Sequence, residues 1–166
     1  MITGNITQLK ETAGSLRPVF HAPRRQRPAT KVQRLHPDAK LPTRAKSGDA
    51  GWDVYAVSAY EIPPGRIQLV ALGIALEPPP GYWYKAFSRS STAVAEVSVE
   101  GGVIDNGYRG HVKILLHNHG REPMIIRPGD RVAQLVEMRL PECGMELADT
   151  LSDTDRGGGG FGSTGR

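Results

Sequence analysis

Apolar positions along this chain recur with a period of two over short stretches, and glycine and proline separate those stretches. "KVQRLH" (31–36) alternates. "RIQLVALGIALE" (66–77) follows the turn "PPG" and carries Gly73 in its middle, which predicts a bend there. "YWYKAFS" (82–88) follows "EPPPG", and "HVKILLHN" (111–118) lies between Gly110 and the turn around Gly120. "MIIRPGDRVAQLVEMRL" (124–140) reads as two strands split by "RPGD". One helical stretch stands out, "RSSTAVAE" (89–96), with hydroxyl residues placed to cap its start. Six or more short strands with this punctuation predict an all-β subunit, a jelly-roll sandwich or distorted β-barrel with one short helix.

Length changes this picture little: 166 residues suit one domain with a real core. Charge changes it more. Residues 1–46 hold ten Lys/Arg against Glu11 and Asp38, a net of +8, whereas residues 47–166 hold eleven against fifteen, a net of −4. The basic excess therefore belongs to the N-terminal part, where residues 1–30 show no sustained period and include the Pro- and Arg-rich "HAPRRQRPAT". That segment reads as a disordered basic arm, ahead of a β domain over 31–150 and a flexible arm over 151–166. It lacks the apolar core of a secretory signal and leaves organelle targeting open. The single cysteine, Cys143, permits no intrachain disulfide and no Cys-based zinc site. The expectation is a reducing intracellular compartment, cytoplasm or nucleus. No apolar run approaches the roughly 20 residues of a membrane span, and no stable nucleic-acid or membrane partner is expected.

Candidate chemistry gathers in five stretches. In "EGGVIDNGYRG" (100–110), Asp105 follows an apolar pair and precedes "NG", a hairpin signal that would set a carboxylate at the rim of a sheet. There it can bond its own turn or act as a general base on a water, with Tyr108 and Arg109 edging the same pocket. "FSRSSTA" (87–93) groups Arg89, Ser90 and Ser91 at the helix start, either an ordinary cap or an anion site. "GDRVAQLV" (129–136) places Gln134 inside an apolar strand, where an amide needs partners or a ligand. "AGWDVYA" (50–56) places Asp53 in a strand-like run, with a buried ion pair as the plain alternative. The closing "RGGGGFGSTGR" (156–166) has P-loop-like glycine spacing, but Ser163 stands where the loop's Lys belongs and no helix can follow. A pure linker has no use for Phe161 or Arg156. His117 and His119 flank Asn118, and no third residue has the spacing of a metal ligand beside them.

"AGWDVYA", "SRSSTA", "GGVIDNGYRG", "GDRVAQLV" and "RGGGGFGSTG", in this order, resemble the five motifs of the trimeric dUTP pyrophosphatases, over about residues 31–166. The resemblance implies a jelly-roll homotrimer with active sites at subunit interfaces, hydrolysing dUTP to dUMP and pyrophosphate. It implies Mg²⁺ as cofactor, held by substrate phosphates and water with no direct protein ligand. By motif position, Asp105 is similar to the carboxylate that activates water, and Tyr108 to the aromatic under the deoxyribose. Arg89, Ser90, Ser91 and Gln134 resemble phosphate contacts. Arg156, Gly162, Ser163 and Thr164 resemble the closing arm, and Phe161 the aromatic that covers uracil. Asp53 takes the place of the first motif's supporting carboxylate. The resemblance also assigns reading of the uracil edge to main chain of a hairpin around Val99 to Gly102. Four positions depart from the usual pattern: Ser88 and Ser91 replace Pro and Gly of the second motif, His111 replaces an acidic or amide residue, and Gly107 an acidic one. The related dCTP deaminases need a Glu on the strand after "ID", and the equivalent position here, about Leu115, is apolar. A catalytically inactive nucleotide-binding relative would not need Asp105, Tyr108, Arg156 and Phe161 together.

Overall fold

The structure, a computed structural model, describes residues 28–160. Eleven strands and one short helix follow in order: β1 (Lys31–Arg34), β2 (Gly51–Tyr55), β3 (Tyr60–Ile62), β4 (Ile67–Ala71), β5 (Ile74–Glu77), β6 (Tyr82–Phe87), α1 (Ser90–Val94), β7 (Val97–Glu100), β8 (Val103–Ile104), β9 (Lys113–Asn118), β10 (Met124–Ile126) and β11 (Arg131–Arg139). Strands β2, β11, β6 and β8 make one antiparallel sheet, and β4, β9 and β7 a second. The pairs β1–β5 and β3–β10 complete the sandwich. Alternation decides which side chains go inward. Val54, Tyr84, Ala86, Ile104 and Leu135 of the first sheet and Val70, Val97, Ile114 and Leu116 of the second are buried in one cluster. This is the jelly-roll sandwich that the strand pattern predicts, with Gly73 at a positive φ of 70° between β4 and β5.

The structure corrects three local expectations. Helix α1 has no hydroxyl cap: its N-cap is Arg89, extended and without a side-chain cap bond, and Thr92 Oγ1 instead donates to the Arg89 carbonyl at 2.8 Å. "NG" makes no β-hairpin, because β8 pairs with β6 while β9 pairs with β4 and β7. Neither Asn106 nor Gly107 has the positive φ of a hairpin turn, and the Asn106 amide donates to the carbonyls of Pro79 and Tyr82 at 2.9 and 2.8 Å. The segment around Val99 to Gly102 is likewise no hairpin. Gly101 and Gly102, at φ 65° and 83°, carry the chain from β7 in one sheet to β8 in the other. A Cβ on Gly102 would stand 2.8 Å from the Ala86 carbonyl oxygen, so close approach demands glycine there.

Two features were not visible in the pattern. The register of β11 against β2 slips between Arg131 and Ala133, a bulge that buries Val132 and Ala133 in succession. Asn118 is 1% exposed and saturated: its Nδ2 donates to the Ile62 and Glu122 carbonyls at 2.8 Å each, and its Oδ1 accepts the Gly120 N–H at 2.9 Å. Asn118→Ala would leave those buried groups unpaired. It is expected to cost roughly 1–3 kcal/mol in urea unfolding, and an unchanged midpoint would show that these bonds contribute nothing.

Candidate active site

The bulge in β11 builds the first half of the site. Arg131 and Gln134 lie three apart and would point to opposite faces of a regular strand; the extra residue sets both toward one cleft. Asp53 of β2, opposite Gln134 in register, lies between two arginines. Its Oδ1 accepts from Arg89 Nε at 2.8 Å and its Oδ2 from Arg131 at 3.3 Å. The Asp53 side chain is 16% exposed and that of Arg89 22%. This ion pair holds one guanidinium rigidly at the start of α1, beside exposed Ser90 and Ser91. Gln134 Nε2 donates to the Ser88 carbonyl at 3.0 Å, tying β11 to the segment that carries Arg89. Asp53, Arg89, Ser90, Ser91, Arg131 and Gln134 thus line one cleft of about 500 Å³. Asp49 also lines this cleft, so two arginines stand against two carboxylates, and the guanidinium N–H groups of Arg89 and Arg131 with the two serine hydroxyls are what it offers to an anion. Arg131 escaped the sequence reading, although it stands in "GDRVAQ"; only the bulge reveals where it points.

Asp105 lies elsewhere, in a second cleft of about 540 Å³ that it shares with Leu69, Val103, Tyr108, His111 and Lys113. Buried Ile104 anchors the end of β8, and Asp105 emerges exposed just beyond it. Its carboxylate has no hydrogen bond or ion pair among the described residues, so both oxygens face solvent. Tyr108 is held by its hydroxyl, which donates to the His111 carbonyl at 3.0 Å, and its ring lies against Gly110, where a Cβ would collide with it. Arg109 does not edge this cleft; its guanidinium donates to the Asn106 and Tyr108 carbonyls.

His111 supports the second cleft from behind. Its Nε2 accepts the Gly73 N–H at 2.8 Å, which requires the neutral ring. Burial, then Lys113 and His36, hold its pKa below the ordinary imidazole value. A depressed folded pKa means that the unfolded chain takes up the proton first. The stability His111 contributes is present above the ordinary value and is lost as pH falls through the folded one. The melting temperature should therefore drop between about pH 7.5 and 5.5 more steeply in the parent than in His111→Gln. Parallel curves would remove His111 from the linkage.

The remaining positions are less direct. Val99 N–H donates to Ser88 Oγ at 2.9 Å, and the Gly102 carbonyl accepts from Ala86 N at 2.8 Å. Both main-chain groups are thus already engaged, whereas the N–H groups of Gly101 and Gly102 have no partner among the described residues. The substitution at Ser88 therefore has a use, since its hydroxyl receives the Val99 amide. Arg156 lines neither cleft; its Nε donates to the Gly159 carbonyl of its own turn at 2.9 Å. Phe161, Gly162, Ser163 and Thr164, like residues 1–27 of the basic arm, lie outside the described residues. His117 and His119 gain the third potential ligand that spacing did not supply, Glu100 of β7.

A jelly roll with an arginine-bearing cleft in one place and a carboxylate without a partner among the described residues in another has the groups that a phosphate-handling β-sandwich enzyme needs. Residues 37–165 match the dUTPase family model, and the chain belongs to the dUTPase family. Among its relatives, the deoxyuridine 5'-triphosphate nucleotidohydrolase of Solibacter usitatus is 41% identical over 82% of this chain and 95% of its own. That of Gloeothece citriformis is 42% identical over 81% and 95%, and that of cowpox virus 40% over 76% and 86%. The solved dUTPase of Staphylococcus bacteriophage 80alpha, with dUPNHPP, superposes with a TM-score of 0.76 at 24% identity, covering 83% of this chain and 99% of that one. A mutant dUTPase of phage phi11 of S. aureus, which coordinates a structural Mg(II) ion, superposes at 0.70 with 22% identity, over 74% and 98%.

Proposed function

We infer that this chain hydrolyses dUTP to dUMP and pyrophosphate, which limits uracil incorporation into DNA and supplies dUMP. The family membership supports the reaction. The observation that carries the mechanism is the split site: the free carboxylate of Asp105 and the arginine cleft lie apart in one chain, and neither is sufficient alone. Asp105 takes a proton from a water and aims it at phosphorus, while Arg89, Ser90, Ser91 and Gln134 hold phosphate oxygens as the phosphorus–oxygen bond to pyrophosphate breaks. Tyr108, fixed by His111 and Gly110, offers a flat floor for the deoxyribose.

Mg²⁺ fits as an ion carried by the triphosphate. Asp53 has both oxygens on arginines, Asp49 accepts the Lys46 N–H, and Asp105 stands alone in its cleft, so neither cleft holds a dedicated oxygen cage among the described residues. When bound, the ion neutralises phosphate charge. The protein's own residues orient the anion and the water.

A homotrimer would join the two halves. The outer face of β4 and β9 exposes Ile67, Leu69 and Leu115, aligned by register, and Leu69 borders the Asp105 cleft. A second subunit covering this face would bring an arginine cleft to Asp105. Met145, Leu147 and Leu151 are nearly fully exposed on their own subunit, as a segment reaching toward a neighbour would be. Arg156, Gly162, Ser163 and Thr164 would then close on the phosphates and Phe161 on the base, so deletion of 156–166 should remove most turnover with folding intact. Full turnover after deletion would make the segment a passive tail. A reducing intracellular compartment is part of the same proposal.

Release of pyrophosphate measured with dUTP, dCTP, dTTP and UTP tests the function. Release from dUTP alone supports it. Ammonia from dCTP would mark a deaminase, and turnover of none a nucleotide-binding protein.

A further inference from the structure

Outside both clefts, one more group of chemically active side chains comes together. In "SVE" of β7, Ser98 and Glu100 lie two apart and share a face. In "HNH", His117 and His119 are also two apart, and Asn118 between them points into the core. The three backbone groups bound by Asn118 fix that inward direction, which turns both imidazoles outward. Antiparallel pairing sets Ser98 opposite His117 and Glu100 opposite Leu115, so the two pairs meet on one surface of the sheet.

The geometry is that of a ligand set. Glu100 Oε1 lies 3.9 Å from His117 Nδ1 and 3.9 Å from His119 Nε2, and the three candidate ligand atoms all fall within 4.8 Å of one another. Ser98 Oγ donates to Glu100 Oε1 at 2.6 Å and lies 2.8 Å from His119 Nε2. A tetrahedral ion with bonds of about 2.0–2.2 Å needs its ligand atoms roughly 3.4 Å apart, so Glu100 must close on each imidazole by about half an ångström, and the two imidazoles on each other by at most about 1.4 Å. They have the freedom to do so, being 27% (His117), 44% (Glu100) and 49% (His119) exposed.

We propose that Glu100, His117 and His119 form a binding site for a divalent transition-metal ion of the zinc class, with Ser98 orienting the Glu100 carboxylate. Two imidazoles and one carboxylate suit such an ion and do not suit Mg²⁺, which prefers oxygen ligands in an octahedron. None of the three ligands lines either cleft, so this ion is separate from the one that accompanies the nucleotide. It clamps edge strand β7 to β9. Strand β7 leads through Gly101 and Gly102 to β8 and Asp105, so the clamp steadies the path to the catalytic carboxylate.

Co²⁺ gives the direct test, because a tetrahedral nitrogen–oxygen site produces visible absorption bands. The full-length chain without a tag, freed of metal by chelation, is titrated with Co²⁺ and then Zn²⁺ above pH 7, with circular dichroism to confirm that each variant is folded. The expected result is one saturable equivalent per chain, displaced by Zn²⁺ but not by excess Mg²⁺, with a higher melting temperature when Zn²⁺ is bound. His119→Ala and Glu100→Gln should abolish the bands and the thermal shift. Ser98→Ala should weaken binding by about 10–100-fold, as for residues that orient a metal ligand. His36→Ala, a histidine outside the cluster, should bind as the parent does. No saturable binding, or binding that survives His119→Ala and Glu100→Gln, would overturn the proposal.

Discussion

Asp105→Asn should lower dUTP turnover by roughly 10²-fold or more, the scale of losing a general base, while leaving the fold and nucleotide affinity nearly unchanged. The structure says why the two effects should separate. The Asp105 side chain is exposed and makes no hydrogen bond or ion pair among the described residues, so replacing one oxygen by an NH₂ disturbs no internal contact. The turn is held by other groups: Tyr108 N–H on the Asp105 carbonyl, and the Asn106 amide on Pro79 and Tyr82. None of them needs the carboxylate. What the amide cannot do is accept a proton from water, so the loss should fall on kcat rather than on KM. Single-turnover hydrolysis, paired with equilibrium binding of a non-hydrolysable analogue, measures both. Turnover within about threefold of the parent would take Asp105 out of the mechanism. A large loss of affinity would instead mean that it mainly holds the nucleotide.

The second large effect is a gain. Arg89→Ala should cost about 10²-fold or more, since it removes a positioned cation from the phosphates, and alone it is as inactive as Asp105→Asn. The two inactive chains should restore activity when combined. If each site takes Asp105 from one subunit and Arg89 from another, random mixing in a trimer leaves about a quarter of the sites with both residues intact. Co-expression, or joint unfolding and refolding, should therefore recover about a quarter of parental activity from two nearly dead proteins. If one chain supplied both residues, every site in the mixture would carry a lesion and nothing would be recovered. Light scattering on the same samples checks the mass, and an active monomer would contradict the shared site outright. Arg89→Ala leaves Asp53 with Arg131 as its cationic partner, so circular dichroism must accompany the assay.

Much of this molecule was legible in the chain. Runs of β-type residues between glycine and proline turns marked β1, β4, β5, β6, β9, β10 and β11, because each lies in a stretch of six or more such residues, and a strand with one face buried repeats every second residue. Chemistry confined to one short segment was legible for the same reason. Asp105 with Tyr108, and Arg89 with Ser90 and Ser91, are neighbours in the chain and remain neighbours in the fold.

What the chain could not display was anything set by pairing between distant segments. Strands β3, β7 and β8 stand in no longer apolar run of their own, and partners supply their hydrogen bonds. "NG" carries a hairpin propensity, yet β8 and β9 go to different sheets, because strand pairing outweighs the preference of two turn residues. The bulge that aims Arg131 into the anion cleft exists only in the register of β11 against β2. Glu100 stands beside His117 and His119 only because β7 pairs with β9. The sequence by itself determined which residues could do chemistry and which face of each longer strand is apolar, since both are properties of side chains and their local spacing. The tertiary structure alone decided which of those residues meet, and that Asp105 and Arg89 do not meet within one chain, because long-range contacts follow from sheet register, which no local pattern encodes.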